Sequence, residues 1–281
     1  MNPSVHPGNR NVALYVHFPW CVKKCPYCDF NSHPLRGSLE EPQYLEALLR
    51  DLTCQLAQLN GRPISSVFFG GGTPSLFGAD SFAELLSALR PMLVADAEIT
   101  MEANPGTLEH KPLDAYRRAG INRLSLGAQS FNPQHLAVLG RIHSPGDIEK
   151  SFASARRGGI TNIKLDLMYG LPQKTVAQAM ADLQQALDLG PEHVSWYQQT
   201  LEPKTEFHAK PPVLPDEDTL EAMEQGGHRL LARRDYQRYE VSAYARNGQY
   251  SAHNLNYWSF GDYLGVGAGA HGKLTVEGQI L

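Results

Sequence analysis

The chain has 281 residues, 42% of them hydrophobic and 19% charged, with a formal net charge of -4 at neutral pH. That is the profile of an ordinary globular protein, one large α/β domain or two small ones, and the acidic balance argues against a nucleic-acid binder driven by electrostatics. There is no run of eighteen apolar residues, and the opening "MNPSVHPGNRNV" lacks the apolar stretch of a signal peptide. The expected compartment is therefore the cytosol, where the four cysteines are metal ligands or reduced thiols rather than disulfides.

A strand-like run at 12–18 (VALYVHF) comes first, and three cysteines, Cys21, Cys25 and Cys28, follow it with the spacing C-x3-C-x2-C. A helix is predicted over 41–59, where Leu45, Leu48, Leu49, Leu52, Leu56 and Leu59 share one apolar face. Ser38 and Glu41 have capping-box spacing, Pro42 suits a first turn, and Cys54 reads as a small buried hydrophobe. Further strands are expected at 64–69, 97–103, 121–127, 160–170 and 193–200, alternating with helices at 79–93, 107–118, 147–157, 174–189 and 216–234. Two helices end in "RRAG" and "RRGG" and a third in "RRDY", which places cations at the negative helix end and, in two of them, glycine at the left-handed cap.

Six such strand–helix units in roughly 190 residues predict an α/β fold, a partial (β/α)6 TIM-like barrel, since a full eight-unit barrel takes ~250 residues. A doubly wound open sheet is the alternative, and in either case the site belongs on loops after the strand C-termini. After Tyr236 the sequence is rich in Gly and Tyr with no helical period, so residues 236–281 are expected as a β- and loop-rich extension to a barrel of residues 1–235. The closing "KLTVEGQIL" reads as half of a hairpin without its partner.

Three local thiolates fall short of the four ligands of a structural zinc site, although a remote ligand such as Cys54 would complete one. They suit a [4Fe–4S] cluster in which one iron has no protein ligand and is open to a small molecule. The spacing, with Tyr27 before the last cysteine, resembles the signature of radical S-adenosylmethionine (SAM) proteins, and "FFGGGTP" resembles the motif that holds the methionyl end of SAM there. The resemblance runs from about Tyr15 to Gly272. It implies a full or partial β/α barrel, a [4Fe–4S] cluster on Cys21, Cys25 and Cys28, and SAM contacts at Tyr15, Tyr27, Gly71, Gly72, Thr73, Glu102, Gln129, Arg141 and Asp166. It also implies the chemistry of that superfamily, reductive cleavage of SAM to a 5′-deoxyadenosyl radical. His17, His135 and His193 match no motif and read as structural.

Within the superfamily the chain resembles the oxygen-independent coproporphyrinogen III oxidases and their relatives. Those oxidases carry a further cysteine two residues after the third ligand, where this chain has Phe30, and a longer N-terminal extension. "CPYCDFNSH" is instead similar to the HemW family of haem chaperones, and "HNLNYW" resembles its HNxxYW haem motif. In that reading His253 is the axial ligand to haem iron, and Tyr257 and Trp258 offer flat faces to the porphyrin. Taken alone, the six residues favour an aromatic core cluster with a hydrogen-bonded histidine; beside the cluster motifs, and without the oxidase cysteine, haem binding is the better reading.

The resemblance implies haem as cargo, delivery to haem-requiring respiratory enzymes of the membrane, a homodimer linked to the cluster, and a place at the inner membrane face without a stable anchor. The alternative is an oxidase that decarboxylates porphyrinogen propionates. HemW relatives continue into a helical C-terminal region, which a sequence ending at Leu281 is expected to lack.

Overall fold

A computed structural model of the chain describes residues 11–108, 112–276 and 279–280. Six strands lie side by side in chain order and run parallel: β1 (Val12–Phe18), β2 (Ile64–Gly71), β3 (Leu93–Ala103), β4 (Arg123–Gln129), β5 (Asn162–Tyr169) and β6 (His193–Gln198). Unbroken sequential order is that of a partial β/α barrel and excludes a doubly wound sheet, in which the order reverses. Three strands from the last part of the chain join the same sheet. β7 (Gln237–Arg238) and β8 (Ala243–Ala245) add antiparallel beyond β6, and β9 (Tyr263–Val266) adds parallel beside β1. The edges β9 and β7 do not pair with each other, so the sheet stays open.

Alternation along the strands sorts the chemistry. On β5, Ile163, Leu165 and Leu167 are fully buried in the apolar core, while Lys164 and Asp166 face the interior. The core side carries Leu14, Val16, Val67, Phe69, Met101, Leu124 and Leu126 from the other strands. The crossover helices α1 (Glu41–Leu56), α2 (Ala79–Leu89), α3 (Leu113–Ala119), α4 (Pro145–Arg157), α5 (Val176–Leu189) and α6 (Glu217–Arg233) close over it with residues such as Leu48, Leu52, Leu85 and Leu183. The left-handed positions after α3, α4 and α6 are filled by Gly120 (φ 124°), Gly159 (φ 83°) and Asp235 (φ 63°).

Several expectations are corrected. Ser38 and Glu41 form no capping box: Glu40 occupies the N-cap, and the Glu41 carboxylate accepts from Gly78 N (2.7 Å) and Ser81 Oγ (2.5 Å), tying α1 to the start of α2. Cys54 is exposed, not buried. The predicted helix at 107–118 is divided, because Pro112 is the N-cap of α3. The stretch after 236 contains a helix, α7 (Ala252–Trp258), started by Ser251, whose side chain accepts from Asn254 N; seven residues are too few to show a period. The terminal hairpin has its partner close by, Thr275–Val276 pairing with Gln279–Ile280.

Candidate cluster and cofactor site

At the C-terminal ends of the parallel strands lies a cavity of about 540 Å³, the volume of a site for one small-molecule ligand. Cys21, Cys25 and Cys28 all line it, carried by the loop after β1, and each is half-buried. Burial pushes the Cys21 and Cys28 thiols up; Thr73 and Ser32 beside Cys21, and the Phe30 backbone and Ser32 beside Cys28, oppose this. Arg141 Nη1 points at Cys25 Sγ (3.7 Å), and its Nη2 donates to Gly127 O (2.7 Å). A guanidinium at this distance would balance the charge of a metal-bound thiolate. Among the described residues no three His, Cys, Asp or Glu side chains converge as a single ion would require. Three thiols on one wall of a wide cavity, with a cation behind them, fit a polynuclear iron–sulfur group.

The loop is held by a relay that starts in β1. His17 Nε2 donates to Asn31 O (2.8 Å), so its Nδ1 accepts from Tyr15 OH (2.9 Å). A side chain at Gly71 would run into the His17 ring, and Gly71 has φ 109°. At Gly72 a Cβ would stand 2.5 Å from Trp20 O and 2.8 Å from Phe18 O. The glycines let the β2 end lie directly against the cysteine loop, where Gly72 N donates to Phe18 O (2.6 Å) and Thr73 N to Trp20 O (2.7 Å).

Eight of the nine expected SAM positions meet in this cavity: Tyr27, Gly71, Gly72, Thr73, Glu102, Gln129, Arg141 and Asp166. Tyr15 does not line it, since its hydroxyl is taken up by His17 lower in the interior. Glu102 accepts from Gly71 N (3.1 Å), and burial pushes its carboxyl up to about 7, Lys164 opposing and Asp166 adding to the effect. Gln129 has left-handed backbone (φ 66°) beside a register shift between β4 and β5, and its Oε1 accepts from Tyr197 OH (2.6 Å). Asp166 accepts from Ser125 Oγ (2.8 Å) and pairs with Lys164 (2.9 Å). Arg141, Lys164, Glu102 and Asp166 thus present both signs of charge around one space, which suits a zwitterionic ligand.

Sequence reasoning passed over Lys164, Ser125, Tyr197 and Asn254, which also line the cavity. The signal for Lys164 was present, since "NIKLDLMY" alternates Lys164 and Asp166 with buried apolar residues on a strand covered on both faces. Phe30, where related oxidases have a cysteine, stands at the cavity mouth and is 57% exposed.

The "HNLNYW" run lies beneath the cavity, which only its Asn254 reaches. Helix α7 plugs the interior near the N-terminal ends of β2 and β3. The Glu98 carboxylate accepts from Ala252 N (3.0 Å), His253 N (3.1 Å) and Ser251 Oγ (3.3 Å), with Arg123 behind it at 3.6 Å. His253 is 1% exposed, stacks on Phe68 (5.0 Å), and has both ring nitrogens engaged, Nδ1 with Ser66 Oγ and Nε2 with Tyr257 OH, each at 3.1 Å. Burial lowers its pKa to about 3, so it is neutral at physiological pH. Tyr257 is 39% and Trp258 54% exposed. Asn254, one residue on, reaches the cavity floor, so α7 separates the cavity from the opposite end of the sheet. His193 is structural as expected, bonded through Nε2 to Tyr239 OH (2.7 Å).

The profile of the radical SAM superfamily matches residues 15–186. The chain is 51% identical over 273 residues to the haem chaperone HemW of Escherichia coli K12, an alignment covering 96% of this chain and 72% of the relative. It is 49% identical to HemW of Haemophilus influenzae (94% and 70% covered) and 41% identical to the mitochondrial radical S-adenosyl methionine domain-containing protein 1 of Bos taurus (97% and 63%). Among solved structures it is similar to coproporphyrinogen III oxidase (HemN) of Escherichia coli, a radical SAM enzyme, with a TM-score of 0.82 and 29% identity over 95% of this chain and 66% of that one.

Proposed function

The chain belongs to the radical SAM superfamily and, within it, to the HemW family, and from that premise we propose that it is a haem chaperone with a [4Fe–4S] cluster on Cys21, Cys25 and Cys28 and SAM beside it. The observation that carries the cofactor assignment is the convergence on one cavity of three thiols and eight expected SAM positions drawn from the ends of β1 to β5 and the loops after them. When bound, the cluster supplies an open iron for the amino and carboxylate groups of SAM and a source of one electron. The protein's part is binding and orientation. Glu102 is placed to accept a hydrogen bond from the amino group of SAM, Arg141 balances the thiolates, and Asp166, steered by Ser125 and Lys164, is placed for a ribose hydroxyl.

Haem is the cargo, and its site is the α7 end rather than the cavity that the cluster and SAM share. Tyr257 and Trp258 meet the porphyrin first, through their exposed faces. His253 becomes an axial ligand only after its bonds to Ser66 and Tyr257 break, so ligation is coupled to a turn of α7. The acceptors are haem-requiring respiratory enzymes, approached from the cytoplasmic face of the membrane. No helix among the described residues is long and apolar enough to cross a membrane, which fits delivery by a peripheral visitor. A cluster-linked homodimer belongs to the same reading.

The test is an anaerobic haem titration of wild type and His253→Ala, followed at the Soret band, with circular dichroism as the control for folding. Stoichiometric binding by wild type and a changed Soret band in the variant support the reading. Wild type that binds no haem but decarboxylates a porphyrinogen with consumption of SAM would establish the second reading, which the likeness to HemN favours.

A further inference from the structure

Helix α7 ends in a Schellman motif: Gly261 N donates to Asn256 O (2.8 Å) and Phe260 N to Tyr257 O (2.9 Å). That motif needs left-handed backbone at residue 260, where glycine or asparagine is favoured because a Cβ is costly there. This chain has phenylalanine, with φ 55°. The other non-glycine residues with positive φ among those described are Asn60, Gln129, Gln173, Lys204, Asp235 and Asn247, all polar. An aromatic ring in this conformation is a true outlier.

Packing does not account for it. Phe260 is 83% exposed, the most exposed of the large hydrophobic residues, so its ring adds little to the core. The position is strained, and the side chain that strains it is turned to solvent. Strain retained without a packing return points to a contact made with something outside the fold. The ring follows Trp258 by two residues and Tyr257 by three, and both are partly exposed. A cation stands at the same corner: Lys273 donates to the carbonyls of Phe260 and Gly261 and lies 3.9 Å from the Asp262 carboxylate, which also pairs with Arg62. Exposed aromatic faces next to a lysine ammonium suit a flat, apolar ligand with anionic arms.

We infer that Phe260 is a haem-contacting residue, which with Trp258 and Tyr257 forms an aromatic seat for the porphyrin while Lys273 faces a propionate. The inference rests on the haem-chaperone reading and adds a residue that the HNLNYW motif does not contain. It carries a paired expectation that a structural role would not give, because removing the ring should help the fold and harm the site.

The experiment compares wild type with Phe260→Gly and Phe260→Asn, both suited to left-handed backbone. Thermal melting, anaerobic haem titration and light scattering are read on the same samples. Each variant is expected to melt about 2–4 °C higher than wild type and to bind haem roughly tenfold more weakly. Wild-type haem affinity in both variants overturns the inference and leaves the chaperone reading standing, and so does a melting point lowered in both with binding unchanged. If the variants instead lose a dimer that wild type forms while still binding haem as wild type does, the ring seats a second copy and the inference is wrong. Wild type that binds no haem removes both readings together.

Discussion

The two ends of the sheet are built on opposite plans. At the C-terminal ends of the strands the interior is open: glycines replace side chains, charges of both signs face a cavity, and the thiols stay half-exposed. At the N-terminal ends it is shut, with α7 anchored through Glu98 and His253 stacked, buried and bonded at both nitrogens. Polar groups at the first end are left available to a ligand, whereas those at the second already satisfy one another. Substitutions should therefore separate. Changes at the cavity should cost binding and spare the fold, and changes under α7 should cost the fold first.

The largest expected effect is total loss of a bound group. Replacing Cys21, Cys25 and Cys28 together by alanine should abolish iron content and the visible absorbance of the reconstituted cluster, while circular dichroism and the melting curve stay close to wild type. A variant that keeps stoichiometric iron would break the contrast at its open end.

At the closed end, His253→Ala removes a buried ring and leaves Ser66 and Tyr257 without their partner. It should cost about 2–4 kcal/mol in urea unfolding; a cost near zero would mean that α7 is not the plug described here. Gly71→Ala is the exception at the open end, where a cavity residue also carries the fold, since its methyl group meets the His17 ring at positive φ. A loss of about 3 kcal/mol is expected, together with weaker cluster retention because His17 holds the cysteine loop through Asn31.

The smallest effect is the most diagnostic of the cavity. Glu102 has a folded-state pKa raised to about 7 from an ordinary value of 4.5. Its carboxyl therefore favours the folded state fully below pH ~4.5, and that contribution is lost as the pH rises through about 7. Glu102→Gln should flatten this slope, leaving the variant on the order of 1–2 kcal/mol more stable than wild type at pH 8. If the amino group of SAM donates to the carboxylate, SAM affinity should rise as the pH rises through 7, with release of a proton detectable by calorimetry in buffers of different ionisation enthalpy. Glu102→Gln should lose both. A pH-independent SAM affinity in wild type would remove Glu102 from the amino-group contact.

The open end was largely legible in the sequence and the closed end was not. Strand ends carrying polar residues after apolar alternation, and cysteines at fixed spacing, are local signals that point to one face of a parallel sheet. Glu102, Gln129, Arg141 and Asp166 were singled out by the motifs shared with the superfamily, and they meet at one cavity although they are far apart in the chain. Two features hid the other end. Helix α7 has seven residues, too short for a hydrophobic period, and its anchor Glu98 lies 155 residues before His253. A motif read as haem-binding chemistry therefore sits partly inside the barrel, where the histidine expected to ligate iron first completes the fold. Tyr15 failed to reach the cavity for a related reason, because its hydroxyl completes the relay that positions the cysteine loop.

The central claim is that cofactor and cargo occupy opposite ends of one sheet. The direct measurement is an anaerobic haem titration of the cluster-reconstituted protein, with and without saturating SAM, read at the Soret band together with retained SAM. The account predicts the same haem stoichiometry in both titrations and SAM still bound at the end point. Displacement of either ligand by the other would place haem in the cluster cavity and contradict the claim.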